Sequence, residues 1–327
     1  MRALITGITG FVGSHLAEYL LARQPHVEVH GLKRWRSPLD NLQGILPSVH
    51  LCDGDLRDAR SMTKVIGEVR PDLIYHLAAQ SFVTASFDAP TDSVETNVVG
   101  TINLLEAVRA AGIDPVIHVC SSSEVYGQVM PEELPITELT PLRPSSPYAV
   151  SKVGEDMVGY QYFVSYGLKT IRSRMFTHTG PRRGHVFAES AFAQQIAQIE
   201  LGLQEPTMQV GNLDSVRTFA DVRDTVVAYW LLTAKCRPGE VYNIGGNRTM
   251  KVGEMLEILR SMSTRRDITI QTSPRLRRPS DVTLQVPCTD KFVRETGWRP
   301  EIPLEQTLRD LLDYWRQKLR STGTVAV

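Results

Sequence analysis

The sequence predicts an α/β fold: a doubly wound parallel sheet with helices on both faces, and a smaller lobe interleaved with it toward the C-terminus. Three observations predict it. Short apolar runs alternate with helical patterns as far as residue 175, the rhythm of successive parallel βαβ units. The first run, residues 2–6, passes into G-I-T-G-F-V-G and then into the helical pattern H-L-A-E-Y-L-L. The 327 residues also suffice for one large domain or two coupled ones, and no linker, repeat or low-complexity stretch divides them.

Composition excludes several classes of function. Lys plus Arg and Asp plus Glu both number 36, so no global field draws nucleic acid or a membrane, and any anion must be bound locally. Cys52, Cys120, Cys236 and Cys288 are scattered, without C-x-x-C or metal-ligand spacing, so reduced thiols and no metal are expected, with Cys120 a small core residue. The chain opens straight into R-A-L-I-T-G, and no apolar run approaches the length of a bilayer span. A cytoplasmic protein is the expectation.

Taken in order, the strand at 2–6, its glycine turn and the following helix form a Rossmann-type dinucleotide site. Glycines let the backbone approach a pyrophosphate, and the helix N-terminus supplies free N–H groups. The spacing is G-x-x-G-x-x-G rather than the commoner G-x-G-x-x-G, and the candidates here are Gly7, Thr9, Gly10, Phe11, Val12 and Gly13. The second strand, 27–32, ends without an acid and is followed by Lys33, Arg34 and Arg36. Cations at that point suit a 2′-phosphate, so the expected cofactor is NADP. After a strand at 50–52, Asp55 and Leu56 of G-D-L-R-D stand where an adenine could be bracketed. A helix at 61–69 leads to a strand at 73–77, whose end, Leu77, Ala78 and Ala79, is small enough for a ligand to come close. The helix at 96–111 reads with its apolar stripe at Val98, Ile102, Leu105 and Val108, and Asn97 in it could hold a backbone group or a water.

A strand at 116–120 delivers S-S-S-E-V-Y-G, residues 121–127, at its carboxyl end, where the chemistry of parallel sheets takes place. An irregular loop, 130–147, ends at a proline, and Tyr148 opens a helix to about 166. In S-P-Y-A-V-S-K, Tyr148 and Lys152 share one helix face. The ammonium can lower the phenol pKa, making a phenolate accessible near neutral pH, and a phenolate beside a serine can take a proton from a sugar alcohol while hydride leaves the same carbon. A strand at 169–175 continues the sheet.

Beyond Phe176 the chain is turn-rich and basic, T-H-T-G-P-R-R-G-H, before an amphipathic helix at 190–202 and short strands at 208–211 and 217–219. A helix from 221 to about 233 and a strand at 241–244 return to the sheet. A helix at 252–263, the segment 275–279 and a last helix at 304–320 complete the lobe, and the tail 321–327 is expected to fray. The expected division is 1–175 with about 221–246 for the cofactor, and 176–220 with 247–320 for the substrate.

These motifs, in this order and nearly end to end, resemble the extended short-chain dehydrogenase/reductase family in its nucleotide-sugar branch. Besides the stretches quoted, L-A-A-Q-S, V-R-T-F-A-D-V-R-D and R-R-P-S-D-V carry the likeness. Within the branch, the I-T-G-I-T-G opening, A-Q-S-F-V and F-x-H-x-x-P-R-R-G are similar to GDP-mannose 4,6-dehydratases. V-G-N-L-D-S-V-R-T-F-A-D-V-R-D and T-G-W-R-P-E-I-P-L-E are similar to GDP-4-keto-6-deoxy-mannose reductases.

The resemblance implies roles by position. Tyr148 would be the base at the C4 hydroxyl, Lys152 its partner and a holder of the nicotinamide ribose, and Ser122 a hydrogen-bond donor to the same hydroxyl. Glu124 would remove the C5 proton and help the C6 hydroxyl leave. Dehydratases of the dTDP-glucose type carry Asp-Glu where this chain has Ser123-Glu124, which matches the GDP-mannose type. Arg217 and Arg278 would hold the diphosphate, with Arg183 a third candidate, and Ser81, Ser123 and Thr177 would meet the substrate. Thr177 replaces an Asn found in most relatives, which puts the substrate's identity in question; His178 receives no role. A lyase converting GDP-mannose to its 4-keto-6-deoxy form is the leading implication. A 4-keto reductase is the alternative, ahead of an epimerase, which needs no base at C5, or a cofactor sensor, which needs no Ser122, Tyr148 and Lys152. The family pairs subunits through the helices at 96–111 and 148–166, so a homodimer is implied, and the basic loop 33–36 could support a tetramer.

Overall fold

The protein's computed structural model describes residues 1–276 and 279–323. Strands β1 (Arg2–Thr6), β2 (Glu28–Lys33), β3 (His50–Asp53), β4 (Leu73–His76), β5 (Val116–Ser122) and β6 (Lys169–Met175) are interleaved with helices α1 (Phe11–Arg23), α2 (Ala59–Val69), α3 (Val83–Asp88), α4 (Pro90–Val94), α5 (Gly100–Ala110) and α6 (Pro147–Tyr166). Then come β7 (His178–Thr179), α7 (Ala188–Glu200), β8 (Thr207–Val210), β9 (Val216–Asp221), α8 (Val222–Lys235) and β10 (Val241–Ile244). The chain ends with β11 (Arg248–Lys251), α9 (Val252–Ser261), β12 (Thr269–Thr272), β13 (Leu284–Gln285), α10 (Asp290–Thr296) and α11 (Leu304–Gly323).

Seven strands form one parallel sheet in the order β10-β6-β5-β4-β1-β2-β3. The order reverses at β1, which pairs with β2 on one side and β4 on the other, so a crevice opens beyond the carboxyl ends of β1 and β4. Parallel strands covered on both faces read as nearly unbroken buried runs, and β4 is buried at every residue. One face carries α1 and α8, packing Leu16, Leu20, Ala228 and Leu232. The other carries α2 and α5, packing Met62, Ile66, Leu104 and Val108. Burying each such aliphatic side chain contributes about 2 kcal/mol.

A separate cluster ties α7, α9 and α11 together through Phe192, Ile196, Met255, Leu308 and Leu312. Beside it, β9 pairs with β11, β13 and β7, and β8 pairs with β12. Among the described residues no helix is long and apolar enough to cross a membrane.

The structure departs from the sequence reading at two places that shape the site. Residues 83–88 and 90–94 are helical, broken at Ala89, and 95–99 form a π-helical turn ahead of α5. A π turn holds an extra residue, which rotates the face that follows. The buried positions are therefore Asn97, Thr101, Leu104, Leu105 and Val108, while Val98 and Ile102 of the expected stripe are only half-buried. The second departure is β6, where buried Arg172 and Arg174 interrupt the apolar run. Both bind one carboxylate of α6, Asp156, at 2.9 and 2.8 Å, so charges that would be costly to bury alone are paired.

Candidate active site

A single cleft of about 990 Å³ opens at the carboxyl ends of the strands and extends into the C-terminal lobe. Its first wall is the glycine turn between β1 and α1, with Gly7, Thr9, Gly10, Phe11, Val12 and Gly13 all lining it. Gly7 has φ +72°, and a Cβ on Gly13 would lie 2.3 Å from the Gly7 carbonyl oxygen, so no side chain fits inside this turn. Thr6 secures the neighbouring strand end: its hydroxyl accepts from the Leu77 and Ala78 amides at 3.1 and 3.0 Å. Leu77, Ala78 and Ala79 line the cleft as well.

The basic cluster after β2 is divided. Lys33 lines the cleft but its ammonium is paired with Asp53 of β3. Arg34 lines the cleft next to Ser37, whose hydroxyl accepts from the Arg34 amide at 3.1 Å. Arg36 is not among the lining residues; its guanidinium lies over the exposed Trp35 ring, 4.3 Å from the centroid. Asp55 and Leu56 form the opposite rim, Asp55 held by Arg57, which also reaches Asp92. Hydrogen bonding from Arg57 keeps the Asp55 carboxyl below its usual range.

At the centre, local sequence sets the start of α6. Ser146 caps the helix, its hydroxyl accepting from the Ala149 amide at 3.0 Å, and Pro147 occupies the first turn, where its missing N–H costs nothing. Tyr148 therefore stands at the helix mouth facing the end of β5. Ser122 ends β5 and caps the short turn Ser123–Tyr126, accepting from the Glu124 amide at 3.2 Å. Its hydroxyl faces the Tyr148 phenol across the cleft and pulls the phenol's pKa down. Ser122, Ser123, Glu124, Tyr148 and Lys152 all line the cleft. Among the described residues none donates to the Glu124 carboxylate, whereas Ser123 gives its hydroxyl to Gln285 of β13 at 2.6 Å.

The electrostatics differ from the sequence expectation. Burial raises the Tyr148 phenol, Lys152 and the Ser122 hydroxyl pull it down, and burial prevails, so without ligands the phenol stays protonated at neutral pH. The Lys152 ammonium is not free: it donates to the Cys120 carbonyl at 2.8 Å and to Glu155 at 2.7 Å. Cys120 packs against the main core, as expected, and also lines the cleft, its thiol 3.3 Å from the Tyr229 hydroxyl. Asn97 binds Gln80 through both its amide atoms, at 2.8 and 3.0 Å, and donates to Ser151 of α6 at 2.8 Å, so the π turn positions both walls.

The substrate end gathers residues remote in sequence. Ser81, Thr177, Arg183 and Arg217 line it. Of the two arginines in the P-R-R-G turn, Arg182 ties the turn to α1 through Glu18 and Ser14. Arg183 turns inward, over the rings of Phe187 and Phe11 at 3.6 and 5.2 Å, and its Nε has no hydrogen-bond partner among the described residues. Arg217 is anchored on the carbonyls of Val216 and Val282. His178 stacks on Phe11 and bonds the Phe176 carbonyl, a structural placement. Arg278 lies outside the described residues. Sequence reasoning missed Glu189 and Gln285, which line the cleft with buried side-chain atoms lacking any partner, and Glu155 beneath it. For Glu155 the signal was present, since Tyr148, Lys152 and Glu155 recur at helical spacing.

The family model described as GDP-mannose 4,6 dehydratase matches residues 4–311. A GDP-6-deoxy-D-mannose reductase from Pseudomonas aeruginosa is 33% identical over 98% of both chains. A GDP-mannose 4,6-dehydratase from Vibrio cholerae is 34% identical, covering 95% of this chain and 92% of its own. Among solved structures, RMD from Pseudomonas aeruginosa complexed with NADPH superposes with TM-score 0.83 at 31% identity, covering 97% of this chain and 99% of that one.

Proposed function

We propose that this chain, which belongs to the GDP-mannose 4,6-dehydratase family, is a nucleotide-sugar 4,6-dehydratase that converts GDP-mannose to GDP-4-keto-6-deoxy-mannose. The observation that carries the reading is one cleft lined together by Tyr148, Ser122, the Lys152 side chain and a Glu124 carboxylate that no described residue bridges. The glycine cradle fits a dinucleotide, because its wall admits backbone approach where a Cβ would collide. Gly7, Gly10 and Gly13 would hold the pyrophosphate, Asp55 and Leu56 the adenine, and Arg34 with Ser37 the 2′-phosphate of NADP, with Lys33 contributing less because Asp53 holds it. When bound, the nicotinamide supplies a temporary store for the hydride taken from C4 and returned to C6.

The chain's own groups handle the protons. Tyr148 takes the C4 hydroxyl proton as the carbon becomes a ketone, and Ser122 holds that oxygen in line. Lys152 favours the phenolate by its charge. A C4 ketone acidifies the C5 hydrogen, which Glu124 removes. The same carboxyl then returns that proton to the departing C6 hydroxyl, which leaves as water; once C6 has regained its hydride, C5 takes up one proton and Tyr148 gives up the one it took, so the net change is the loss of water. Arg217, Arg183 and Arg278 are proposed to hold the diphosphate, as guanidinium groups suit phosphate oxygens. Ser81, Ser123 and Thr177 are proposed to contact the sugar and its first phosphate.

The division of labour proposed is residues 1–175 with about 221–246 for the cofactor, and 176–220 with 247–320 for the nucleotide sugar. A homodimer belongs to the same reading. Val150, Met157 and Val164 are exposed on α6 at seven-residue spacing, next to exposed Val94 and Val99, an apolar stripe of the kind two helices cover. A cytoplasmic setting is supported by scattered, unpaired cysteines among the described residues.

The test is incubation of the purified protein with GDP-mannose and NADP+, followed by mass spectrometry. A product lighter by one water, absent with Tyr148→Phe, is expected; no such product refutes the reading. The 98% mutual coverage by the reductase favours one second reading, NADPH-dependent reduction of the 4-keto sugar. That reading requires stoichiometric loss of NADPH with the keto sugar as substrate, which a dehydratase does not show.

A further inference from the structure

Tyr148, Lys152 and Glu155 stand at i, i+4 and i+7 on one face of α6, running from the cleft into the protein. Glu155 is 1% exposed and does not line the cleft, so no ligand there can reach it. One carboxylate oxygen holds the Lys152 ammonium at 2.7 Å, and the other is buried without a partner among the described residues. Taking a carboxylate this far from water is costly unless it is paired, and here only half of it is. The ammonium's position is set by two acceptors, Glu155 and the Cys120 carbonyl 2.8 Å away.

We propose that Glu155 is a positioning residue for the reaction: it anchors the Lys152 ammonium at the floor of the cleft and cancels part of the field that the ammonium exerts on the Tyr148 phenol. This rests on the reading of Tyr148 as the base. The groups facing this triad are few. Asp156 of the same helix is held by Arg172 and Arg174 of β6. On β5 lie Cys120 and His118, on β4 His76, on α8 Tyr229, and from the P-R-R-G turn comes Arg183. Buried His76 and His118 are neutral, held down to about 3 by desolvation, so Glu155 is the counter-charge in direct contact with the ammonium. Burial raises the Glu155 carboxyl while the Lys152 ammonium pulls it down.

Replacing the carboxylate by an amide of the same shape removes the negative charge and leaves an oxygen for the ammonium. A unit charge two turns away at an effective dielectric near 20 moves a pKa by about one unit. The experiment is a tyrosinate absorbance titration of Glu155→Gln and the wild type, each loaded with NADP+ and each corrected by its Tyr148→Phe counterpart. The pH dependence of kcat/KM is measured in parallel. In Glu155→Gln the Tyr148 transition and the acid limb of kcat/KM both move down by about one unit, and in Glu155→Asp, which keeps the charge, by much less. A Tyr148 transition in the Gln variant within about 0.2 units of the wild type, or moved upward, overturns the proposal, as does an equal shift in both variants. If instead the wild type lacks Tyr148-dependent turnover, the assignment of the base fails, while the titration still reads the effect of Glu155. Lower thermal stability without a shift is a structural role and overturns it as well.

Discussion

The glycine turn offers a quantitative test because its geometry leaves no slack. A Cβ added at Gly13 would lie 2.3 Å from the Gly7 carbonyl oxygen, 2.8 Å from the Ile8 Cα and 2.9 Å from the Gly7 carbonyl carbon. All three are backbone atoms, so no flexible side chain can give way. Restoring ordinary contact requires a shift of about 1 Å between the turn and the start of α1, and α1 is locked to the sheet by fully buried Leu16, Ala17 and Leu20. The turn must move instead, carrying with it the N–H groups that would meet the pyrophosphate. Misplacement on that scale costs about 100-fold in a preorganised site. Gly13→Ala is therefore expected to weaken NADP+ binding about 100-fold, close to 2.7 kcal/mol, by calorimetric titration. Gly67→Ala is the control: it lies on the exposed face of α2 with nothing within 4 Å of the new methyl. That variant should keep its affinity and gain about 0.5–1 kcal/mol of stability from the better helix former. A folded Gly13→Ala protein binding NADP+ within threefold of the wild type would refute the reasoning.

Further predictions concern the acids and the buried histidines. Glu124→Gln should lose water elimination by about 10²- to 10⁴-fold while C4 oxidation persists, so reduced nicotinamide should build up during single turnover; a normal dehydration rate would remove Glu124 from the mechanism. Asp156→Asn leaves two buried guanidinium groups without their carboxylate and should cost about 3–5 kcal/mol in urea unfolding; a loss below about 1 kcal/mol would show that the arginines find other partners. Burial holds His15 down to about 4 and His76 and His118 down to about 3, so the fold keeps them neutral while the unfolded chain protonates them near 6.5. Stability is full above that value and falls as the pH drops, by about 4 kcal/mol for the three together between pH 7.5 and 5.5, with buried His178, likewise held down to about 3, adding about 1 kcal/mol. Glu155, raised to about 7, binds its proton in the folded state first and returns about 2 kcal/mol over the same range. Urea midpoints should thus fall on acidification, more steeply in Glu155→Gln, and a flat profile would contradict both assignments.

What the sequence by itself determined was short-range. The glycine turn, the Ser146–Pro147 helix start and the Tyr148–Lys152 spacing each act within about two helical turns, so neighbouring residues suffice to specify them. The alternation of short apolar runs and helical patterns announced a doubly wound parallel sheet, but the strand order that sets the crevice at β1 is seen only in the fold. The tertiary structure decided whatever depends on partners far along the chain or on depth. It drew Lys33 to Asp53 and left Arg36 on Trp35, so three cations adjacent in sequence have three surroundings. It joined Ser123 to Gln285, 162 residues away, and Asn97 to Gln80 and Ser151 through a π turn that no local pattern announces. It also reversed the expected direction at Tyr148, because a lysine's pull on a phenol depends on how much water and counter-charge surround both, and burial with Glu155 settles that only once the chain has folded.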